Sequence, residues 1–246
     1  MHAATFRFYA ELNDFLPPGL RRRGILYRFH GSPAVKDAIE ALGVPHVEVD
    51  LIIVNDRSVD FSYQLRPHDR VAVYPVFESL DITPLVRLQG RPLRAPAFIA
   101  DVHLRKLGRL MRLLGFDTVY EAGLEDAEIV SIAARERRII LTHDRELLKR
   151  GAVTHGYWVR STDPLEQARE VVHRFDLHAQ VQPFTRCPAC NGLLAPVAKE
   201  EVLDRIPPKT ARWQDEYFIC TGCGKLYWRG THYPRLQRMI ERILQT

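Results

Sequence analysis

The sequence predicts an α/β domain with a mostly parallel sheet, which lies between a smaller α+β domain and a short cysteine-rich module. Three observations lead to this prediction. Short apolar runs alternate with amphipathic helical segments from residue 96 to about residue 175. One helical segment stands among four or five strand-like runs in the first 80 residues, and all four cysteines fall in two Cys-x-x-Cys pairs near the C-terminus.

The middle of the chain repeats a strand followed by a helix. We expect strands over residues 96–100, 116–119, 138–142 and 156–159. The helix after the first strand carries Leu104, Leu107, Met111 and Leu114 on one face and ends at Gly115, a residue suited to the left-handed turn that closes a helix. The last helix begins at Asp163-Pro164, with an N-cap and then Pro at the first helical position. This alternation favours a parallel sheet covered by helices on both faces.

Four aspartates follow these strands or begin the next helix, namely Asp101, Asp126, Asp144 and Asp163. Because ligands of open α/β sheets bind at the carboxyl ends of the strands, these acids can converge although they are far apart in sequence. Clustered carboxylates suit Mg²⁺ or Mn²⁺, which take oxygen ligands and activate water at phosphodiesters. The alternative for each aspartate is a helix N-cap. Thr142 is expected either to orient a carboxylate or a metal-bound water, or to be an ordinary β-branched strand residue.

Part of this pattern resembles a known family. The run from Asp101 to Gly115, the pair Glu125-Asp126 and residues 141–148 are similar to the Mut-seven C-terminal RNase family of PIN-like nucleases, and the similarity continues through residues 163–167, both cysteine pairs and residues 227–233. The resemblance implies a metal-dependent RNase fold with Asp101, Asp126 and Asp144 as core metal ligands, and with Asp163 or Glu125 as a further acid. Members typically carry Arg in place of His143 and a smaller or aliphatic residue in place of His103.

Arginines near the acids are candidates for binding the substrate. Arg109, Arg112 and Arg145 stand close to the aspartates in sequence, and guanidinium groups pair well with phosphate oxygens. The alternative is a solvated helix face with internal Arg–carboxylate pairs, and for Arg112 we favour this structural pairing.

The cysteines predict a structural zinc site. Cys187, Cys190, Cys220 and Cys223 have the spacing of the two knuckles of a zinc ribbon, and two disulfides are the alternative. A closed Cys₄ site has no open coordination position, so the zinc would stabilise the module and would not catalyse. Cations and aromatic rings follow the second pair, in a mixture that suits single-stranded nucleic acid. For Trp228, the alternative of packing in the core of the module is favoured.

The first 80 residues predict a β-grasp domain. Strand-like runs surround one helix over residues 34–42, which we expect Ser32-Pro33 to cap, and Asn55-Asp56 forms a turn. The segment resembles the ubiquitin-like sulfur carriers of thiamine and molybdopterin biosynthesis, particularly at Val54-Asn55 and at residues 69–71. Those carriers need a C-terminal Gly-Gly, whereas this chain continues without one, so carrier chemistry is disfavoured. Docking to a protein partner, to RNA or to the ribosome, or covering the nuclease domain, remains open.

Composition agrees with four segments, which are a β-grasp domain at 1–80, a linker at 81–95, a PIN-like RNase domain at 96–183, and a zinc ribbon with a C-terminal helix at 184–246. Residues 1–80 hold nine Lys and Arg against ten Asp and Glu, which leaves 26 Lys and Arg against 20 Asp and Glu in the rest of the chain, so the positive excess lies there. This favours a polyanionic partner. Arg91 and Arg94 of the linker are expected to contact RNA phosphates, or alternatively to pair with Glu78 and Asp81. No run suggests a membrane span or a signal peptide, so we expect a cytoplasmic protein.

These observations predict a metal-dependent ribonuclease that hydrolyses RNA phosphodiester bonds, on structured or ribosome-associated RNA. The alternative is a catalytically quiet RNA- or ribosome-binding adaptor, in which the acids are only helix caps. A third hypothesis is a sulfur-transfer accessory protein, suggested by the first domain. Uptake of Mn²⁺ at the acids distinguishes the first hypothesis from the second.

Overall fold

The computed structural model of the chain describes residues 1–75, 88 and 96–245. The predicted linker, with Arg91 and Arg94, lies outside the described residues. The chain divides into two compact units. Unit 1 comprises Met1–Arg94, Val130–Arg137 and Asp144–Trp158, and unit 2 comprises Ala95–Ile129, Arg138–His143 and Val159–Thr246.

The N-terminal part of unit 1 is a five-stranded sheet with one α-helix. Its elements are β1 (His2–Phe8), β2 (Ile25–Phe29), α1 (Val35–Ala41), β3 (Val49–Val54), β4 (Arg57–Val59) and β5 (Arg70–Pro75). The strands are ordered β2-β1-β5-β3-β4, with β1 parallel to β5 and the other neighbours antiparallel. Alternate residues of β1, including Phe6 and Phe8, are buried against Ile39 of the helix and Ile52 of β3. The predicted β-grasp architecture is therefore confirmed.

Two local predictions for this domain differ in outcome. Asn55 and Asp56 have φ angles of +45° and +69°, as a tight turn between β3 and β4 requires. The predicted cap at Ser32-Pro33 is wrong, because α1 begins at Val35 and its N-cap residue makes no side-chain hydrogen bond. The Val35 amide instead donates to the Tyr63 carbonyl at 2.7 Å, so a neighbouring loop satisfies the donor that a capping side chain would have taken.

The α/β segment follows the predicted alternation. Its elements are β6 (Phe98–Ala100), α2 (Arg105–Leu113), β7 (Thr118–Val119), α3 (Asp126–Glu136), β8 (Ile139–Thr142), α4 (Arg145–Leu148), β9 (Gly156–Trp158) and α5 (Pro164–Arg174). Of these, α4, β9 and most of α3 belong to unit 1. In unit 2, β6 pairs in parallel with β7 on one side and with β8 on the other. Every residue of β6 and of β8 is buried, as is typical of parallel strands covered on both faces.

The C-terminal part of unit 2 is a small antiparallel sheet followed by a helix. It contains β10 (Leu194–Val197), α6 (Pro208–Ala211), β11 (Tyr217–Cys220), β12 (Leu226–Trp228) and α7 (Tyr233–Leu244), with strand order β10-β11-β12. Val202, Ile206 and Tyr217 form its small core. Helix α5 packs against α2 and α7. Within the described ranges, no helix has both the length and the apolar character needed to cross a membrane.

Candidate functional site

A buried aspartate stands where two neighbouring parallel strands end. Asp101 follows β6, and Thr142 is the last residue of β8; both side chains are buried. The Thr142 hydroxyl donates a hydrogen bond to Oδ2 of Asp101, and the His143 amide donates to the same oxygen at 3.2 Å. The His103 amide donates to Oδ1 at 2.8 Å. Three donors therefore hold the Asp101 carboxylate in one orientation, and the predicted contact with Thr142 is present.

Two histidines flank this carboxylate. The His103 ring is 80% exposed, and its Nδ1 lies 3.6 Å from Oδ1 of Asp101. The His143 ring has Nδ1 at 2.7 Å from the Val159 carbonyl oxygen and Nε2 at 3.3 Å from Nε2 of Gln167. Since a carbonyl oxygen only accepts and an amide NH₂ only donates, these partners place the imidazole proton on Nδ1. The Val159 carbonyl and Gln167 together thus fix the tautomer of a residue next to the strand end.

Glu125 and Asp126 lie at the start of α3. Oε2 of Glu128 accepts from the Glu125 amide at 2.8 Å, which is one half of a capping box. Asp126 is the first residue of the helix and is half-buried, whereas Glu125 is exposed. Both acids therefore stand at the positive end of the helix dipole, where negative charge is favourable.

Asp144 and Asp163 act as helix caps. The Asp144 side chain accepts from the Glu146 amide at 2.8 Å at the start of α4. The Asp163 side chain accepts from the Leu165 and Glu166 amides at 2.9 and 3.1 Å at the start of α5. Asp144 belongs to unit 1 and the other predicted acids to unit 2. The capping role is present for both aspartates, and a metal-binding role remains a prediction.

The predicted substrate arginines have different surroundings. The Arg112 side chain is buried, and its guanidinium donates to the carbonyl oxygens of Thr118 at 2.7 Å and Ala189 at 2.9 Å, with longer bonds to two further carbonyls. Arg112 therefore joins α2 to the loop between Cys187 and Cys190, the first cysteine loop. Its partners are carbonyl oxygens, where carboxylates were expected. We therefore assign Arg112 a structural role, and not contact with substrate phosphate. Arg109, on the same helix, is exposed.

Arg145 lies in unit 1 against two aromatic rings. Its guanidinium carbon is 3.8 Å from the ring centre of Trp158 and 5.3 Å from that of Phe15, and the group donates to the Phe15 carbonyl at 3.2 Å. The cation–π contact with Trp158 is close enough to hold the arginine in place. Contact with substrate phosphate stays a prediction for this residue.

The four cysteines form one compact cluster. Their Sγ atoms all lie within 4.8 Å of one another, and none of the four is in a disulfide. In the described part of unit 2, no other group of three or more Asp, Glu, His or Cys side chains comes as close together. The amides of Gly222 and Cys223 point to Sγ of Cys220 at 3.4 Å. A Cβ at Gly192 would lie 2.9 Å from that sulfur, so only glycine fits there.

The electrostatics of the cluster suit a cation. Burial acts to raise the pKa of the Cys187 thiol, but hydrogen bonds from the Tyr227 hydroxyl and from backbone amides lower it to about 6. The pKa of Cys190 is raised to about 12, mainly by burial and also by its hydrogen bonds to the other thiols. Burial also acts to raise the pKa of Cys220, but hydrogen bonds from backbone amides and from other thiols lower it. A dication at the centre of the cluster would favour the thiolate form of all four residues. Four thiolates at this spacing fit Zn²⁺, which confirms a candidate zinc site.

A second set of contacts joins the cysteine loop to the α/β domain and was not predicted. The carboxylate of Asp117 accepts from Arg138 at 2.6 Å and from Asn191 at 2.7 Å, and lies 3.7 Å from Arg186. Burial acts to raise the Asp117 pKa, but these hydrogen bonds and charges outweigh it and hold the pKa below its usual value. No spacing rule could reveal this set, since Asp117 and Asn191 are 74 residues apart.

Trp228 packs against the small core of the ribbon, with its ring centre 6.2 Å from that of Tyr217. A Cβ at Gly230 would lie 3.0 Å from the indole nitrogen, so this glycine lets the chain pass close to the ring. The sequence favoured core packing for Trp228, and the contact with the core agrees with it. The Trp228 side chain is, however, half-exposed.

Three parts define the protein: a β-grasp domain, an α/β segment with a buried aspartate where its parallel strands end, and a Cys₄ ribbon. The chain belongs to the Mut7-C RNase family, since residues 96–240 match the family model described as the Mut7-C RNAse domain. Residues 1–81 match the model described as Mut7-C ubiquitin. Comparisons with curated proteins and with solved structures gave no match.

Proposed function

We propose that this protein is a metal-dependent ribonuclease that hydrolyses RNA phosphodiester bonds. The observation that carries the proposal is the buried Asp101 carboxylate, oriented by Thr142 and two backbone amides where β6 and β8 end, in a domain of an RNase family. A carboxylate fixed by several donors is preorganised, so it can hold a ligand without first losing orientational freedom.

The donor chemistry fits Mg²⁺ or Mn²⁺. Asp101, Asp126 and Asp144 would hold the ion, with Asp163 or Glu125 as a further acid, because carboxylate oxygens are the ligands that these hard ions prefer. When bound, such an ion activates water and stabilises charge on the scissile phosphate. Thr142 and the His143 amide keep the Asp101 carboxylate in place, and the Val159 carbonyl and Gln167 keep the His143 ring in one tautomer. Zinc in the Cys₄ cluster would have a structural role.

We further propose that the partner is RNA, either structured or associated with the ribosome. The net positive charge beyond residue 80 supports a polyanionic ligand. Arg109 is exposed on α2 and available to phosphate, and Arg91 and Arg94 would contribute from the linker. The β-grasp domain would dock to a protein partner or to the ribosome.

The test is cleavage of end-labelled RNA by purified protein with Mn²⁺, comparing wild type with Asp101→Asn. Asparagine keeps the shape and can still accept from Thr142, but it removes the charge. We expect cleavage to fall by at least about 100-fold, in the range reported for loss of one preorganised electrostatic group. Asp176→Asn is the matched control, because Asp176 is exposed and its φ of +47° suits asparagine equally well. Full activity of the Asp101 variant would refute the proposal.

A catalytically quiet RNA-binding adaptor is the second candidate. The capping bonds of Asp101, Asp144 and Asp163 favour it, because they account for three of the four aspartates without a metal. Calorimetric titration with Mn²⁺ distinguishes the two functions. A ribonuclease binds the ion at the acids and loses this binding in Asp101→Asn, whereas an adaptor binds RNA and takes up no Mn²⁺ there.

A further inference from the structure

Two adjoining cavities lie on unit 2 beside the zinc ribbon. Their volumes are about 720 Å³ and about 490 Å³. Both are lined by Leu113, Pro188, Tyr227 and Leu236, which come from α2, the first cysteine loop, β12 and α7. Because the two cavities share these four residues, we treat them as one surface feature and call it the ribbon groove. Apolar side chains form most of its floor.

The larger cavity of the ribbon groove is rich in aromatic rings. Trp213, Trp228 and Tyr233 line it, and the Tyr233 ring centre is 4.8 Å from that of Phe184. Trp213 is 56% exposed and belongs to no described core cluster. Trp213 thus extends the apolar and aromatic surface of this cavity, and contiguous exposed apolar surface is typical of an interaction site.

The smaller cavity is positively charged. Lys106, Arg109 and Lys225 line it, and no Asp or Glu is found among the described residues that line either cavity. Arg229 of the larger cavity is partly neutralised by Glu216, 3.4 Å away. Residues 225–242, which form β12, the following turn and most of α7, carry five Lys and Arg against one Glu. The groove therefore attracts an anion and offers apolar and aromatic surface to the rest of it.

We propose that the ribbon groove binds a single-stranded segment of RNA, with unpaired bases stacked on Trp213 and its aromatic neighbours and with phosphates beside Lys106, Arg109 and Lys225. This inference rests on the proposed function and adds to it a preference for unpaired RNA. Every base has a face that stacks on an aromatic ring, whereas the bases of a duplex are already stacked on one another. The cation-lined cavity would meet phosphates of either form, so the aromatic residues supply the preference.

The inference is tested by fluorescence anisotropy without added divalent metal. The assay measures how tightly the whole protein binds a short oligouridine and an RNA duplex of equal length. We expect Trp213→Ala to weaken binding of the single strand about tenfold, as loss of one stacked base does, and to leave the duplex affinity unchanged. Leu203→Ala is the matched control, because Leu203 is 54% exposed in the same ribbon but does not line the groove.

The charged side is tested by salt dependence. Replacing Arg109 and Lys225 together with alanine removes two phosphate contacts, so the slope of log affinity against log salt for the single strand should fall by about 1.4. Arg105→Ala is the control, since Arg105 is exposed on the same helix and lies outside the groove.

The inference is wrong if Trp213→Ala weakens single-strand and duplex binding equally, or weakens neither.

Sedimentation of the same variants tests the competing occupant. If wild-type protein dimerises, and Trp213→Ala is monomeric with unchanged RNA affinity, then a second copy of the chain covers the groove and the inference is wrong. The proposed function fails separately. If the protein prefers single strands but shows no Mn²⁺-dependent cleavage, the proposed ribonuclease function is wrong and the inference about the groove stands. If cleavage depends on Asp101 but the groove variants bind RNA like the wild type, the function stands and the inference is wrong.

Discussion

Replacing Arg112 with methionine is expected to loosen the cysteine loop from the α/β domain. Methionine keeps most of the apolar stem of a residue that is only 3% exposed, but it removes the guanidinium, which donates to four carbonyl oxygens of two chain segments. The Thr118 carbonyl belongs to a fully buried residue, so no water can easily replace its donor. Ala189 is exposed, and solvent can partly replace the bond there.

The size of the effect follows from these bonds. A hydrogen bond to a charged group contributes about 1.5–3 kcal/mol, and the bond to Thr118 falls fully in this class. The bond to Ala189 adds a smaller amount, and the two 3.4 Å bonds to Pro188 and Tyr120 contribute little because they are long. We expect a total loss of about 2–4 kcal/mol, which is a large part of the about 5–15 kcal/mol that stabilises a typical domain.

Urea unfolding followed by circular dichroism measures this loss, and release of zinc to a colorimetric chelator measures the loosening of the loop. The expected results are a lower urea midpoint and faster zinc release. Arg109→Met is the matched control, because it makes the same substitution on the exposed face of α2. If the Arg112 variant unfolds within about 0.5 kcal/mol of this control, the assigned structural role of Arg112 is wrong.

Three further predictions concern the same unit. Purified protein should contain near-stoichiometric zinc, and the Cys220→Ser variant should lose the zinc. The ribbon should then unfold while the helices of the α/β domain persist. Absence of zinc and iron on elemental analysis would contradict this prediction. The pKa of Asp117, which is hydrogen-bonded to Arg138, is lower in the folded protein than in the unfolded chain. The ionised carboxylate therefore stabilises the fold above the unfolded pKa, and this stabilisation is lost as the pH falls through the folded pKa. Asp117→Asn should accordingly flatten the pH dependence of the free energy of unfolding below about pH 4. Gly115→Ala should destabilise by at least about 2 kcal/mol in urea titrations, because φ is +99° and the new Cβ would lie 2.3 Å from the Gln182 carbonyl oxygen; an unchanged midpoint would refute it.

Local chemistry explains why much of the fold was predictable. The buried strands β6 and β8 follow from continuous apolar runs, and α2 follows from the spacing of Leu104, Leu107 and Met111. Asp163 and Pro164 begin α5 because capping and the fixed φ of proline act within one turn. The cap expected at Ser32 failed because Tyr63, from a loop far along the chain, supplies the acceptor at that helix start.

The sequence by itself determined the β-grasp and α/β architectures, the cysteine cluster and the presence of acids at strand ends, because short-range periodicity and residue chemistry specify these features. Only the tertiary structure decided that Arg112 binds the cysteine loop, that Asp117 meets Asn191, and that aromatic and basic residues from separate parts of the chain form the ribbon groove. Arg112 and Ala189 are 77 residues apart, and such contacts depend on how separately specified elements pack. Packing is set by shape and burial summed over many residues, and no local pattern encodes it.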